Sequence, residues 1–446
     1  MILKENILLF LLFFGAVLTA VFMYAEIELF VPLILGLFGL VFIVEKIILG
    51  DSLRFAYLTL PSFFLFFYII LMSFPSLFLF SEIDSSIRYT YFVAIQSVLV
   101  TFPLGVGLAN LFSRNPSAII KNFLFSKLTK TKEDHKFTPL FLMMFFSSAP
   151  ILLFYYLYAE HIQLIEIIKS YPTSIDPVTL RFAESQLPEI LQLLFEMLRR
   201  LALPLCVLFA YFTSHFYKAE WKIIFWITFF LTLIISCLTL DRAEPIALMV
   251  AMVLAYLLIR GRSIFKIFDA KLIIIVFIAM VMGATISVFQ YQSDFTLSRF
   301  VGNIGYVFFH RIILGAADMA LRAFQHFSDP SLFLHGQSIK ILTPLLGLDY
   351  IAYYPATFVG DLWRNFGWFG VIIGSIVYGF LFQLIQIKLF IKKSIPVLSI
   401  YVILLINVIW PIFGNALGTV SVVIFFLSVL FLWLIKLTYR KILAKA

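Results

Sequence analysis

Arginine, histidine and aspartate side chains are concentrated late in this chain, in the polar stretch between residues 290 and 370. Guanidinium groups bind phosphate oxygens through a rigid fork of donors. Histidine titrates nearest neutrality, and carboxylates also accept protons from hydroxyl groups. These residue types predict a site that holds a phosphorylated substrate and removes a proton. The candidate proton acceptors are His335, His310, Asp318 and Asp361.

Five arginines and two aromatic residues are the candidates for binding phosphate and sugar groups: Arg242, Arg299, Arg311, Arg322, Arg364, Tyr354 and Trp363. Arg299, Arg311 and Arg322 recur at intervals of 12 and 11 residues, which keeps them on roughly one face if the intervening segments are helical. Tyr354 and Trp363 are suited either to stacking on sugar rings or to anchoring the chain at the water–lipid boundary.

Arg242 lies in LTLDRAEPIAL (residues 238–248), between two apolar runs. An ionisable residue near membrane depth is costly and usually faces a cavity or a partner. Either Arg242 reaches a ligand anion while Asp241 and Glu244 hold its guanidinium, or the three residues form a locally neutralised cluster at a tight turn. Pro245 suits the first turn of the next helix, whose positive end would add to an anion site.

The segment YYPATFVGDLWRNFGWFG (residues 353–370) predicts the entrance to a membrane helix. Asp361, Arg364 and Asn365 share one helical face by their i, i+3 and i, i+4 spacing. Pro355 and Gly360 are expected to break the chain at this entrance. Four later glycines are expected to let another helix approach closely: Gly367, Gly370, Gly374 and Gly379.

Transmembrane helices are the elements that must position these residues. Of 446 residues, 63% are hydrophobic and 13% charged, whereas roughly a quarter of a soluble domain is charged. Apolar runs of about 17–25 residues occur twelve times between residues 7 and 435. The predicted fold class is all-α, a single polytopic membrane domain over residues 1–446. An amphipathic segment at 160–200 and a large loop at 291–356, between the ninth and tenth spans, are expected outside the cytoplasm.

Lysine and arginine are distributed unequally between the two alternating sets of connecting segments. One set holds 22 of the 33 cations, which places it and both termini in the cytoplasm. The outward set holds nine arginines and two lysines, against five arginines and 17 lysines inside. Topology signals treat the two residues alike, so the outward excess of arginine favours a phosphate site. The net charge of +9 follows from the inward bias and implies no nucleic-acid partner.

Three features resemble the bacterial O-antigen or oligosaccharide repeat-unit polymerases, the Wzy-like enzymes. They are LTLDRAEPIAL followed by RGR at 260–262, the long outward loop with spaced arginines, and YPATFVGDLWRNFGWFGVIIG. The family pattern has a small residue such as glycine after the arginine of the earlier motif, whereas Ala243 and Glu244 follow Arg242 here.

The resemblance implies a GT-C-like, multi-pass protein of the bacterial inner membrane. It also implies transfer of a glycan from an undecaprenyl-pyrophosphate carrier to another lipid-linked repeat unit, on the outer face of the membrane. The implied partners are these lipid-linked oligosaccharides and the bilayer, with room for a chain-length regulator.

Two alternatives stay open on the sequence. An O-antigen ligase differs only in its acceptor, whereas a lipid-linked oligosaccharide flippase or transporter predicts charges along a path through both sides of the membrane. A purely structural subunit would leave the arginine bias unexplained. The chain has no Walker-type loop, HExxH or CxxC motif, and no acidic pair in the first outward loop beyond Glu26 and Glu28. We therefore expect a metal-independent glycosyltransferase that uses no cofactor.

Overall fold

The computed structural model describes much of the chain at the level of secondary structure and packing. The described residues are 58–79, 83, 85–113, 115–125, 137–158, 194–216, 220–238, 243–260, 314–338, 347, 349, 356–389, 393–413 and 419–443. All regular secondary structure within them is helical, which confirms the prediction of an all-α protein. The predicted spans near 7–23, 29–49 and 272–290 lie outside these residues, so the number of spans stays a prediction.

The described helices are α1 (Leu60–Tyr68), which continues through a π-helical turn (Ile69–Ser73) into α2 (Phe74–Phe78), then α3 (Ser85–Asn110), α4 (Pro116–Phe125), α5 (Thr138–Tyr158), a second π-helical turn (Leu198–Ala202) leading into α6 (Leu203–Phe216), α7 (Trp221–Leu238), α8 (Ala243–Arg260), α9 (Gly315–His326), a short 3₁₀ turn (Pro330–Leu332), α10 (Thr357–Leu389), α11 (Ile395–Asn407), α12 (Trp410–Phe413) and α13 (Thr419–Leu443).

Within the described residues, three helical stretches are long and apolar enough to cross a membrane: Ser86–Asn110, Thr357–Lys388 and Ile395–Ile412. Five further described helices are apolar but shorter. The helices form two compact units. The first contains α1 to α4, α9, α10 and α12, and the second contains α5 to α8, nearly all of α11 and most of α13.

The longest helix, α10, is a hairpin of two arms that reverse at Gly367. This residue has φ 57° and ψ −141°, a conformation open almost only to glycine. The rings of Phe358 and Tyr378 lie 4.9 Å apart, whereas 20 residues of continuous helix would separate them by about 30 Å. Gly374 leaves room for Leu362, whose Cδ2 would lie 2.7 Å from an added Cβ. The arm at 357–366 therefore packs back along the arm at 368–389.

This reversal changes the predicted span near 357–387. Only the second arm runs on without a break, and its length of about 33 Å is still enough to cross a bilayer. The prediction that Gly360 breaks the chain is wrong, because Gly360 is helical and packs against Ala320 and Ala323 of α9, where a Cβ would crowd both. The first arm thus depends on small residues for its close contact with α9.

The second arm of α10 runs parallel to α3. Gln383 Nε2 donates to Asn110 Oδ1 at 2.7 Å, and Lys388 Nζ donates to the carbonyl of Phe112 at 3.1 Å. Near the middle of α3, a Cβ on Gly379 would meet the backbone of Phe102. The expectation that this glycine admits another helix is therefore confirmed.

In the second unit, α6 packs against α5, α7 and α8. The rings of Phe141 and Phe209 stack at 3.9 Å, and the Sγ of Cys206 contacts the carbonyl of Phe141 at 3.3 Å. A core cluster joins three of these helices and comprises Val207, Ala210, Phe225, Phe229 and Leu248. These contacts hold α6 and α8 in one core, and charged residues lie at the start of both helices.

Candidate functional site

The first arm of α10 ends at a loop that caps it. Carbonyls in the last turn of a helix lack intrahelical donors and need other partners. Here the backbone N–H of Leu334 donates to the carbonyl of Arg364 at 2.9 Å, and that of His335 donates to the carbonyl of Asn365 at 3.1 Å. The Phe333 ring lies over Gly367, where a Cβ would come within 2.5 Å of it. Loop and turn therefore stabilise each other.

The Asn365 side chain fastens the same loop from within. Its Oδ1 accepts from the backbone N–H of Gly336 at 3.1 Å, and its Nδ2 donates to Ser338 Oγ at 2.8 Å. Nδ2 also donates to the carbonyl of Asp361 at 2.8 Å. One buried carboxamide thus ties the loop to the first arm, a role that the shared-face spacing of Asn365 hinted at but did not assign.

His335 lies at the centre of this capping loop, with its side chain exposed. Its φ of 46° places the backbone in the left-handed region, which costs a non-glycine residue roughly 1–2 kcal/mol. Such strain persists only where surrounding contacts hold it, and it is frequent at functional sites. The structure therefore presents an imidazole to solvent from a backbone that is pinned on both sides.

Asp361 and Arg364 form an ion pair beneath the loop. Arg364 Nη2 lies 2.7 Å from Asp361 Oδ1, and Nε donates to the same oxygen at 2.9 Å. The side chains are 1% and 2% exposed. The predicted shared face is confirmed, and Asn365 also lies on it, with Nδ2 3.3 Å from Asp361 Oδ1. In this arrangement the two charges neutralise each other beneath the loop, and the predicted roles of Asp361 and Arg364 in the site stay predictions.

Other predicted residues of the first unit occupy different surroundings. Trp363 is buried, stacks on Phe324 at 4.4 Å and donates from Nε1 to the carbonyl of Phe327 at 3.0 Å, so it serves as packing between α9 and α10. Asp318 and Arg322 pair at 3.0 Å on an open face of α9, where the Arg322 side chain is 75% exposed. The structure does not bring them into the Asp361–Arg364–Asn365 network.

Five predicted site residues lie outside the described residues: Arg242, Arg299, His310, Arg311 and Tyr354. Within the described part of the chain, no three potential metal ligands of the His, Cys, Asp or Glu type come together. Independence from metal stays a prediction.

The second unit holds a charge cluster that the sequence interpretation did not assign to the site. Arg199 and Arg200 lie on the π-helical turn before α6, and Glu244 lies in the first turn of α8. Glu196 Oε1 is 2.6 Å from Arg199 Nη2, and its Oε2 is 2.6 Å from Arg200 Nε. Two consecutive arginines three and four residues after a glutamate, just before an apolar helix, were the available signal.

The comparisons with known proteins add no family. Protein-family models, curated proteins and solved structures were compared with this chain, and none matches. The class is therefore defined by the fold: an all-helical protein with helices long and apolar enough to cross a membrane. The groups available for chemistry are an exposed histidine, on the loop that caps the first arm of α10, in one unit and a pair of arginines in the other.

Proposed function

We propose that this chain is a polysaccharide polymerase of the bacterial inner membrane, which joins oligosaccharide repeat units carried on undecaprenyl pyrophosphate. The proposal includes about 12 transmembrane helices in a GT-C-like arrangement with both termini in the cytoplasm. The outward excess of arginine and the Wzy-like motifs support it. The observation that carries it is the exposed His335, held by its own backbone over the end of a reversed helical arm.

In the proposed reaction, His335 acts as the general base. Its imidazole takes the proton of an acceptor sugar hydroxyl while that oxygen bonds to the anomeric carbon of the donor glycan. The bond from this carbon to the pyrophosphate oxygen breaks, and undecaprenyl pyrophosphate leaves with the electron pair. Guanidinium groups stabilise the negative charge that develops on the leaving group. The candidates in the long loop are Arg299, Arg311 and Arg322, with Arg242 before α8.

The backbone geometry suits a base because proton transfer requires a fixed donor–acceptor distance. Two backbone N–H groups and one carboxamide hold the loop around His335, while the ring itself stays exposed. The second arm of α10 continues from the turn as an apolar helix. A lipid tail alongside such a helix would leave the pyrophosphate and sugars at the level of the loop.

Deleting the gene tests the overall assignment. A polymerase deletion should replace the ladder of surface glycan with a single repeat unit attached to its acceptor, as seen on a gel. A ligase deletion would instead leave no attached glycan, and a flippase deletion would leave lipid-linked units inside the cell. An unaltered ladder would reject the proposal altogether.

His335→Asn tests the base. Asparagine tolerates the left-handed backbone, so the loop geometry is kept while the proton acceptor is lost. We expect polymerisation in complemented cells to fall by about 10²–10⁴-fold with the protein level unchanged. The matched control is His326→Asn, an exposed histidine at the end of α9 that is not on the capping loop. Full activity in His335→Asn would remove His335 from the mechanism.

A further inference from the structure

Glu196 holds Arg199 and Arg200 side by side in the second unit. Each oxygen of its carboxylate lies 2.6 Å from a different guanidinium, so one anion bridges two cations. All three residues belong to one stretch of chain that enters the π-helical turn before α6. π-helical turns inside helices are frequent at functional sites. The two guanidinium groups are therefore close enough to bind the same anion, as they bind the Glu196 carboxylate.

Glu244 approaches the same pair more loosely, from the first turn of α8. Its Oε1 lies 3.4 Å from Arg199 Nε and 3.5 Å from Arg200 Nε, against 2.6 Å for the Glu196 contacts. Charge-assisted hydrogen bonds in proteins are usually about 2.7–2.9 Å long. The Glu244 carboxylate is therefore near enough to be attracted by both guanidinium groups, but these two contacts are longer than a charge-assisted hydrogen bond.

Access to the cluster differs along its length. The Arg199 side chain is 6% exposed and Glu244 3%, whereas Arg200 is 22% exposed. Among the described residues, Glu196 and Glu244 bring two carboxylates to the two guanidinium groups. A buried cluster of this kind is costly to desolvate. An incoming phosphate could reach it on the Arg200 side only by taking the place of one carboxylate.

We propose that Arg199 and Arg200 form a phosphate clamp, and that Glu244 occupies the place of the phosphate in the unliganded protein. The clamp deepens the proposed function, on which it rests, because its ligand class is the diphosphate of a polyprenyl pyrophosphate. Phosphate offers oxygens to two guanidiniums at once, as Glu196 does, and carries more charge than the carboxylate that it displaces. Glu196 is a positioning residue that keeps the two arginines paired.

The clamp makes opposite predictions for its two carboxylates. Glu244→Gln removes a negative charge that competes with the ligand, so binding of inorganic pyrophosphate and of glycan-free undecaprenyl pyrophosphate should tighten by about tenfold. Glu196→Gln unpairs the arginines and should weaken both. A purely structural cluster would give no gain of binding in either variant. Calorimetric titration of the purified full-length protein in detergent or nanodiscs measures this.

Arg200→Lys provides the second test and does not depend on the folding of the glutamate variants. It keeps the charge but loses the fork, so pyrophosphate should bind about 10- to 100-fold more weakly. Arg88→Lys is the matched control, because Arg88 lies in the first unit, where its guanidinium donates to the carbonyl of Ile83. Equal binding by Arg200→Lys and the unaltered protein, or no gain in a folded Glu244→Gln, would overturn the clamp.

The failure of the clamp and the failure of the proposed function can be told apart. Loss of the glycan ladder on gene deletion together with clamp variants that bind normally would reject the clamp and keep the polymerase. Pyrophosphate binding that responds to Glu244 and Arg200 as expected, with an intact ladder on deletion, would keep the clamp and reject the polymerase.

Discussion

Both units bury ionised side chains, but they do so in different ways. In the first unit, Asp361 and Arg364 pair within one helical turn and are almost fully covered. In the second, Glu196, Arg199 and Arg200 meet a carboxylate from another helix, and one guanidinium is partly exposed. The side chains of the closed pair are 1% and 2% exposed, whereas the Arg200 and Glu196 side chains of the open cluster are each 22% exposed, which is the side from which we propose that a phosphate replaces Glu244. Burial alone therefore does not identify a substrate-binding charge.

Removing one partner of the closed pair should produce the largest loss of stability. Asp361→Asn keeps the shape of the side chain but removes the carboxylate charge that lies 2.7 Å from the buried Arg364 guanidinium, and breaking a buried pair in this way costs about 3–5 kcal/mol. Unfolding of the purified protein in mixed detergent micelles measures the change in free energy. The double variant Asp361→Leu with Arg364→Met should recover most of the loss, because it removes both buried charges of the pair.

Glu244→Gln is the control that sharpens the comparison. Glu196 still bridges Arg199 and Arg200 in this variant, so its loss of stability should be clearly smaller than that of Asp361→Asn. Equal losses would mean that the second cluster is as closed as the first, which would contradict the proposed difference between the two units.

The sequence predicted the local pattern of the first unit well. The i, i+3 and i, i+4 spacing of Asp361, Arg364 and Asn365 is enough to place them on one face, since helical geometry fixes neighbours within a turn. It could not show whether the pair faces a ligand or another part of the protein. That depends on the loop at 333–338, which is about 27 residues away along the chain and is held by backbone hydrogen bonds that carry no sequence signature.

Hydropathy could not predict the reversal of α10, for a related reason. An apolar run predicts that a helix is in the membrane but contains no information on its direction. Gly367 is one of several glycines in the run, and only the Phe333 ring and the carbonyls capped by Leu334 and His335 distinguish it as the turning point. In the second unit, the same limit hid the contact between Arg199 and Glu244, which are 45 residues apart.

Gly367→Ala should have the next largest effect. It tests whether the turn at Gly367 holds the loop at 333–338 over the Asp361–Arg364 pair. A Cβ there meets the Phe333 ring, and the backbone conformation is strained for any other residue, at about 1–3 kcal/mol. We expect faster hydrogen exchange at the amides of Leu334 and His335. Adding Phe333→Ala relieves the clash but not the backbone strain, so it should restore only part of the protection. Full restoration would show that crowding alone sets the turn.

The smallest expected effect concerns an exposed carboxylate outside both buried clusters, that of Asp329 at the start of the 3₁₀ turn. Its Oδ1 accepts from the backbone N–H of Ser331 at 2.9 Å, and this hydrogen bond lowers the pKa of Asp329 below its usual value. The folded-state pKa is therefore below the unfolded one, which is about 4. The stabilisation is fully present above that pH and is lost as the pH falls through the folded-state pKa.

Asp329→Asn should abolish this pH dependence while keeping an acceptor for Ser331. In the unaltered protein, the amide resonance of a labelled Ser331 should shift on acidification below about pH 4, and in the variant it should not. Because the site is exposed, global stability should change little in either case. A Ser331 shift that persists in Asp329→Asn would mean that another group titrates near Ser331, and the pH dependence would not come from the hydrogen bond to Asp329.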